Sequence, residues 1–306
     1  MIRLRALRKV FGQRVAVDGF DLHVPRGVVF GLLGHNGAGK STTIGMLLGQ
    51  VWPTAGEVRV CGHDVFSNRS LALARVGAIF ETPVFYDYLS GWRNLEILAG
   101  YTAAAAPERI REVVAWVGLG GREKSPVRTY SHGMRARLAL AQALLPAPEL
   151  LILDEPTNGL DPEGIHEMRQ TIRRLHAELG LTILLSSHLL SEVQQLCSRI
   201  AVLHQARKVF DGSLADATRT RNRVRLLTDD FSTVSAALHR DELVTGHEGD
   251  EFITLADGIS TSAVVKRMVE LGFPVHAIHR EEETLENFYL SLVKNAAQAD
   301  PTPATY

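Results

Sequence analysis

Residues 34 to 42 read GHNGAGKST, a run in which Gly34, Gly37 and Gly39 are interspersed with His35, Asn36 and Ala38 and lead into Lys40, Ser41 and Thr42. The spacing satisfies G-x-x-x-x-G-K-[ST], and the run follows an apolar stretch, Val28 to Leu33, and precedes a helical one, Ser41 to Leu48. Glycines at these three positions let successive backbone amides turn inward around phosphate oxygens, with the following helix N-terminus adding its own donors. Lys40 supplies a point charge and Ser41 a hydroxyl for magnesium, so the loop is expected to bind ATP with Mg2+. A Gly-rich turn without a ligand is the plain alternative. A flavin or nicotinamide site calls for G-x-G-x-x-G and a later acidic residue.

Two further places carry chemistry. Leu150 to Glu155, LLILDE, is an apolar run ending in adjacent acids. A strand buried on both faces tolerates carboxylates only at its C-terminal edge, which is where ligands bind in open α/β sheets. There Asp154 suits holding magnesium and Glu155 suits polarising an attacking water, the alternative being that the pair caps the next segment. His188 ends a second such run, TILLSS, and should surface at the same edge; alone it reads as an ordinary hydrogen-bonded histidine, and only the motifs around it favour a role at the phosphates.

The elements that must position these groups follow from the apolar pattern. Short runs at Val28 to Leu33, Val76 to Phe80, Leu150 to Leu153, Thr182 to Ser186 and Ile200 to Leu203 predict buried strands of a mostly parallel sheet. Helical stretches between them, such as Gly164 to Leu179 and Leu189 to Cys197, predict an α/β layer architecture. From about residue 83 to 147 the chain is Ala- and Leu-rich with little β-branched clustering, which predicts a helical insertion. Past residue 220 the order of patterns is βαββαβ, so residues 221–295 are expected to form a small ferredoxin-like α+β domain closed by a helix from Leu285 to Val293. Residues 296–306, AAQADPTPATY, are expected to be a disordered tail.

Composition bounds the rest. With 306 residues, 45% of them hydrophobic, the chain can bury one large or two modest cores. Lys plus Arg total 33 against 34 for Asp plus Glu, so the net charge of -1 gives no sign of wholesale binding to nucleic acid or anionic lipid. Cys61 and Cys197 have neither metal-ligand nor disulfide-framework spacing and read as reduced thiols. The N-terminus MIRLRALRKVF alternates like a strand and lacks the apolar block of a secretory signal, and no run is apolar enough to span a bilayer.

Tyr130 to Arg137, YSHGMRAR, places Ser131 to cap a helix just upstream of the acidic strand. Taken with GHNGAGKST, LLILDEP, NGLD at Asn158 to Asp161 and His188, it resembles the ATPase subunit of ABC transporters over about residues 1–220. The resemblance implies a P-loop ATPase domain that works as a head-to-tail dimer with a second ATPase subunit. It implies that Ser131, Gly133 and Met134 contact the γ-phosphate on the partner's loop, that His188 is the switch histidine and that Asn158 to Asp161 couple the two sites. Phe11 matches the aromatic position that stacks on adenine, a residue otherwise readable as core. Glu81 stands where the family carries a glutamine after the strand; it keeps an oxygen ligand for magnesium, or caps a turn before Pro83. Tyr130, His132 and Met134 replace the commonest signature residues, in the manner of drug-export ATPases. ETPVFYDYLSGWRNLE from Glu81 and TLENFYLSL from Thr284 further resemble bacitracin-type and daunorubicin-type subunits. These likenesses imply export of an amphipathic compound through integral membrane permease subunits, with the ATPase on the cytoplasmic face. The rival readings are a soluble ABC-type ATPase of DNA repair or translation, which usually carries a coiled-coil insertion or two fused cassettes, and a regulatory module that binds nucleotide without turnover.

Overall fold

The computed structural model describes residues 1–80, 84–102, 107–218, 223–280 and 284–299. They form two compact units, Met1–Leu214 with the residues from Ser291 on, and Ala215–Leu290.

The first unit opens with β1 (Ile2–Phe11), where Ile2, Leu4 and Leu7 are buried while Arg3, Arg5 and Arg8 face out. A positive φ of 42° at Ala6 marks the irregularity that keeps Leu7 on the buried side. β2 (Arg14–Val24) returns antiparallel, and β3 (Val29–Leu33) is buried at every position. After α1 (Lys40–Leu47), β4 (Ala55–Val60) and β5 (His63–Asp64) complete an antiparallel sheet of order β2-β1-β4-β5. This sheet adds to the architecture expected from the apolar runs, because its strands are buried on one face only and read as alternation rather than as runs.

α2 (Arg69–Leu73) and β6 (Val76–Ile79) lead into the helical stretch, which holds α3 (Gly91–Thr102), α4 (Pro107–Trp116) and α5 (His132–Leu144). The chain then alternates: β7 (Leu150–Asp154), α6 (Pro162–Leu179), β8 (Thr182–Ser187), α7 (Leu190–Leu196) and β9 (Arg199–His204), with β10 (Arg207–Ser213) turning back on β9. The second sheet has the order β10-β9-β3-β8-β7-β6 and is parallel except for the β9–β10 hairpin. β3, β7 and β8 are buried throughout, so polar function is confined to their ends. The register sets Leu33 beside Ser187 and Asp154 beside Ser186, which brings three strand ends to one edge. Among the described residues no helix is long and apolar enough to cross a membrane.

The helical stretch is tied to this sheet by backbone contact. A Cβ on Gly77 of β6 would lie 2.0 Å from the carbonyl oxygen of Ala143 in α5, so only glycine lets the helix lie this close. The contact fixes α5, and with it the Ser131 cap at its start.

The second unit carries α8 (Leu214–Ala217) at its boundary, then β11 (Arg223–Leu227), α9 (Phe231–Arg240), β12 (Val244–Glu248), β13 (Phe252–Leu255), α10 (Thr261–Glu270) and β14 (Ala277–Arg280). Its sheet has the order β12-β13-β11-β14 with every neighbour antiparallel. Val234, Leu238, Val264 and Met268 from the two helices pack with Val224, Leu226, Ile253 and Leu255 into a separate core. α11 (Leu285–Ala299) runs past the helix end expected at Val293 and through the first four residues of the expected tail. Ala296, Ala297, Gln298 and Ala299 are strong helix formers, and the first breaker is Pro301. Residues 300–306 lie outside the described residues.

Gly77→Ala should force α5 off the sheet and lower stability by about 3 kcal/mol, read as a reduced urea midpoint. An unchanged midpoint would contradict the backbone contact.

Candidate functional site

The loop that follows β3 is clamped from two sides. A Cβ on Gly34 would meet the Leu203 carbonyl oxygen at 2.6 Å, and one on Gly39 would meet the Ala16 carbonyl oxygen at 2.4 Å. Gly39 also holds a φ of 106°, open to glycine but strained for other residues. The chain therefore passes between β2 and the end of β9 only because these positions lack side chains. α1 begins immediately after, with no acidic residue in its first turn to neutralise its free amides.

Lys40, the first residue of α1, has a side chain only 4% exposed. Its ammonium donates to the Gly34 carbonyl at 2.7 Å and lies 3.3 Å from Glu155 Oε1. A buried cation needs such partners, since an unpaired one would cost several kcal/mol. Glu155 reaches it from the residue after β7, with a φ of 45°. That left-handed backbone costs a non-glycine residue roughly 1–2 kcal/mol and turns the side chain out of the strand direction. Its other oxygen, Oε2, faces His188 Nδ1 at 3.0 Å. Lysine, glutamate and histidine thus form one unbroken row across the C-terminal ends of β3, β7 and β8.

Asp154 ends β7 almost buried, and its Oδ1 accepts a short hydrogen bond from the Ser186 hydroxyl. The same hydroxyl accepts from the Glu155 amide at 3.0 Å. Ser186 is wholly buried and so orients both acids from one atom. The sequence signal for it is a pair of hydroxyl residues closing the apolar run TILLSS.

A cavity of about 1020 Å³ opens over these groups. Of the residues singled out in the sequence, Phe11, Asn36, Gly37, Gly39, Lys40, Ser41, Thr42, His132, Asp154, Glu155, Asn158 and Leu160 line it. Gly34, His35, Ala38, Ser131, Gly133, Met134 and His188 do not; His188 joins through Glu155. Ala38 is buried, and His35 turns its ring edge-on to His204 with centroids 5.3 Å apart. Burial, and then the charge of His35, push the His204 imidazole below its ordinary range. Ser131 caps α5, its hydroxyl accepting from the Met134 amide at 3.2 Å. Glu81 lies outside the described residues.

The structure adds residues that sequence reasoning passed over. Arg14 and Arg135 both line the cavity, the latter paired with Asp87 at 2.8 Å. Arg14 carries no motif signal, and Arg135 lies within YSHGMRAR, where the sequence signal is in the cap and the signature positions alone. Tyr130, an unusual first residue for the signature, is buried and donates its hydroxyl to the Arg122 carbonyl at 2.8 Å. Burial raises its phenol above the ordinary range, consistent with a hydroxyl that stays a donor.

Residues 17–158 match the family model described as ABC transporter. The bacitracin transport ATP-binding protein BcrA of Bacillus licheniformis is 37% identical over 308 residues, covering 96% of this chain and 97% of that protein. The daunorubicin/doxorubicin resistance ATP-binding protein DrrA of Streptomyces peucetius is 41% identical over 218 residues, 70% of this chain and 66% of that one. Among solved structures, an ATP-binding subunit of an ABC transporter superposes with a TM-score of 0.63 at 29% identity, covering 72% of this chain and 92% of its own. A likeness to BcrA along nearly the whole of both chains, on a P-loop fold whose loop, acids and histidine meet at one sheet edge, makes this chain a member of the ABC transporter ATP-binding family, an ATP-binding and ATP-hydrolysing subunit.

Proposed function

We propose that the chain works as a homodimer on the cytoplasmic face of a membrane, driving export of an amphipathic, antibiotic-like compound through separate permease subunits. The row Lys40, Glu155 and His188 carries the chemical part of this reading. Phe11 takes the adenine, the amides of residues 34–42 and Lys40 take the phosphates, and Glu155 holds the attacking water and receives its proton. Water adds to the γ-phosphorus as the bond to the β-phosphate oxygen breaks, and ADP leaves with its charge met by Lys40 and the loop amides. His188 orients Glu155 and reports on the γ-phosphate position.

Ser41 and Asp154 line the same cavity and offer hard oxygen donors, which fits Mg2+. Among the described residues no group of three or more His, Cys, Asp or Glu could hold a metal alone, in keeping with an ion ligated mainly by phosphate and water. When bound it would neutralise charge on the phosphate oxygens. Glu81 is proposed as a further oxygen ligand.

The dimer reading rests on what the signature lacks in its own chain. Packing does not ask for glycine at Gly133: among the described residues a Cβ there would meet nothing nearer than Ser131 Oγ at 3.9 Å. Ser131, Gly133 and Met134 do not line the cavity, although His132 between them does, which supports a reading in which they meet the nucleotide on a second copy. Asn158 to Asp161 would couple the two sites. The βαββαβ order and antiparallel β12-β13-β11-β14 sheet support reading residues 221–295 as a ferredoxin-like accessory domain beside an ATPase domain of residues 1–220.

Export is supported by BcrA and DrrA, which are named for bacitracin transport and for daunorubicin and doxorubicin resistance. Glu155→Gln should bind MgATP within about twofold of wild type yet turn it over at least ~100-fold more slowly, and should accumulate with ATP as a species of doubled mass in size-exclusion chromatography. Near wild-type turnover would remove Glu155 from the chemistry, and a persistent monomer would remove the composite site. With the permease subunits in vesicles, ATP hydrolysis should rise severalfold on adding an amphipathic peptide antibiotic or anthracycline; hydrolysis indifferent to both would count against export.

A further inference from the structure

Arg14 has no role in the reading above. It opens β2 directly opposite Phe11, the two forming the pair that closes the hairpin turn at Gly12 and Gln13. Its guanidinium reaches the phosphate loop, since a Cβ on Gly37 would stand 3.4 Å from one of its terminal nitrogens. Phe11, Arg14 and Gly37 all line the same cavity. Two residues further along β2, the Ala16 carbonyl lies close against Gly39, which ties this strand to the phosphate loop.

The cavity's other cations are already engaged, Lys40 by Glu155 at 3.3 Å and Arg135 by Asp87 at 2.8 Å. The Arg14 side chain makes no hydrogen bond, ion pair or ring contact among the described residues. An arginine held at a cavity wall with its donors uncommitted is suited to a phosphate, which it can grip with two parallel N–H bonds.

The order of groups along a nucleotide selects which phosphate. With the base on Phe11 and the terminal phosphates at Lys40 and the start of α1, the group between them faces Arg14. We infer that Arg14 binds the α-phosphate of the nucleotide held by its own chain, making it a determinant of selection for phosphorylated over bare nucleosides. This rests on the nucleotide reading given above, in which Phe11 takes the base.

The test is to titrate ATP, ADP, AMP and adenosine into wild type, R14A and R14K. In R14A the dissociation constants of all three phosphorylated ligands should rise about tenfold while that of adenosine stays constant, and R14K should lose less than R14A. Unchanged constants throughout overturn the inference, and so does a loss that extends equally to adenosine, which would put the contact on the base. A loss confined to ATP overturns it too, by moving the contact to the γ-phosphate. Wild type that fails to bind ATP would instead overturn the nucleotide reading, and the inference with it.

Discussion

A buried ammonium must always have a partner, and the site is organised around supplying one to Lys40. With 4% of its side chain exposed, Lys40 holds the Gly34 carbonyl and Glu155. The partner can be exchanged but not removed. Nucleotide phosphates are the natural replacement, and their arrival would free Glu155 to face water while His188 still grips its second oxygen. The same pairing that satisfies the buried ammonium therefore holds the acid in reserve.

That arrangement depends on the parallel sheet. β3, β7 and β8 are buried on both faces, so charged groups can stand only beyond their ends, and the strand order β3-β8-β7 makes those ends neighbours. Ser186 then fixes Asp154 and Glu155 relative to each other through a single hydroxyl. The signature is attached to the same sheet through Gly77 and α5, and to the start of α3 through a ladder of bonds: Val127 to Leu89, Arg128 to Asp87, and Trp92 to Glu123. A push on residues 86–92 would thus move Ser131. Arg135, paired with Asp87, brings that segment to the cavity wall.

Much of this was legible in the sequence, for a physical reason. A phosphate loop needs glycine at places where backbones touch, and Gly34 and Gly39 are where β9 and β2 press on it. Acids and a histidine at the ends of apolar runs announce a sheet edge because buried strands exclude charge. What escaped lacked such a constraint in its local sequence. The β2-β1-β4-β5 sheet is buried on one face, so its Arg-rich alternation suggested a strand at the N-terminus and nothing of its partners. Arg14 opens β2 opposite Phe11 at a hairpin turn, where its residue type carries no motif signal. Ser186 looks like the tail of a strand, and only the register beside Asp154 gives it a task. In the second unit the succession of elements could be read from periodicity, whereas the strand order is a property of packing.

The central claim is that phosphate and Glu155 compete for one ammonium. A crystal structure with MgATP, set beside one without nucleotide, tests it most directly. The account predicts that Lys40 Nζ leaves Glu155 for the phosphate oxygens while Glu155 keeps His188. A nucleotide-bound structure in which the 3.3 Å contact between Lys40 and Glu155 persists, with no phosphate at the ammonium, would contradict it.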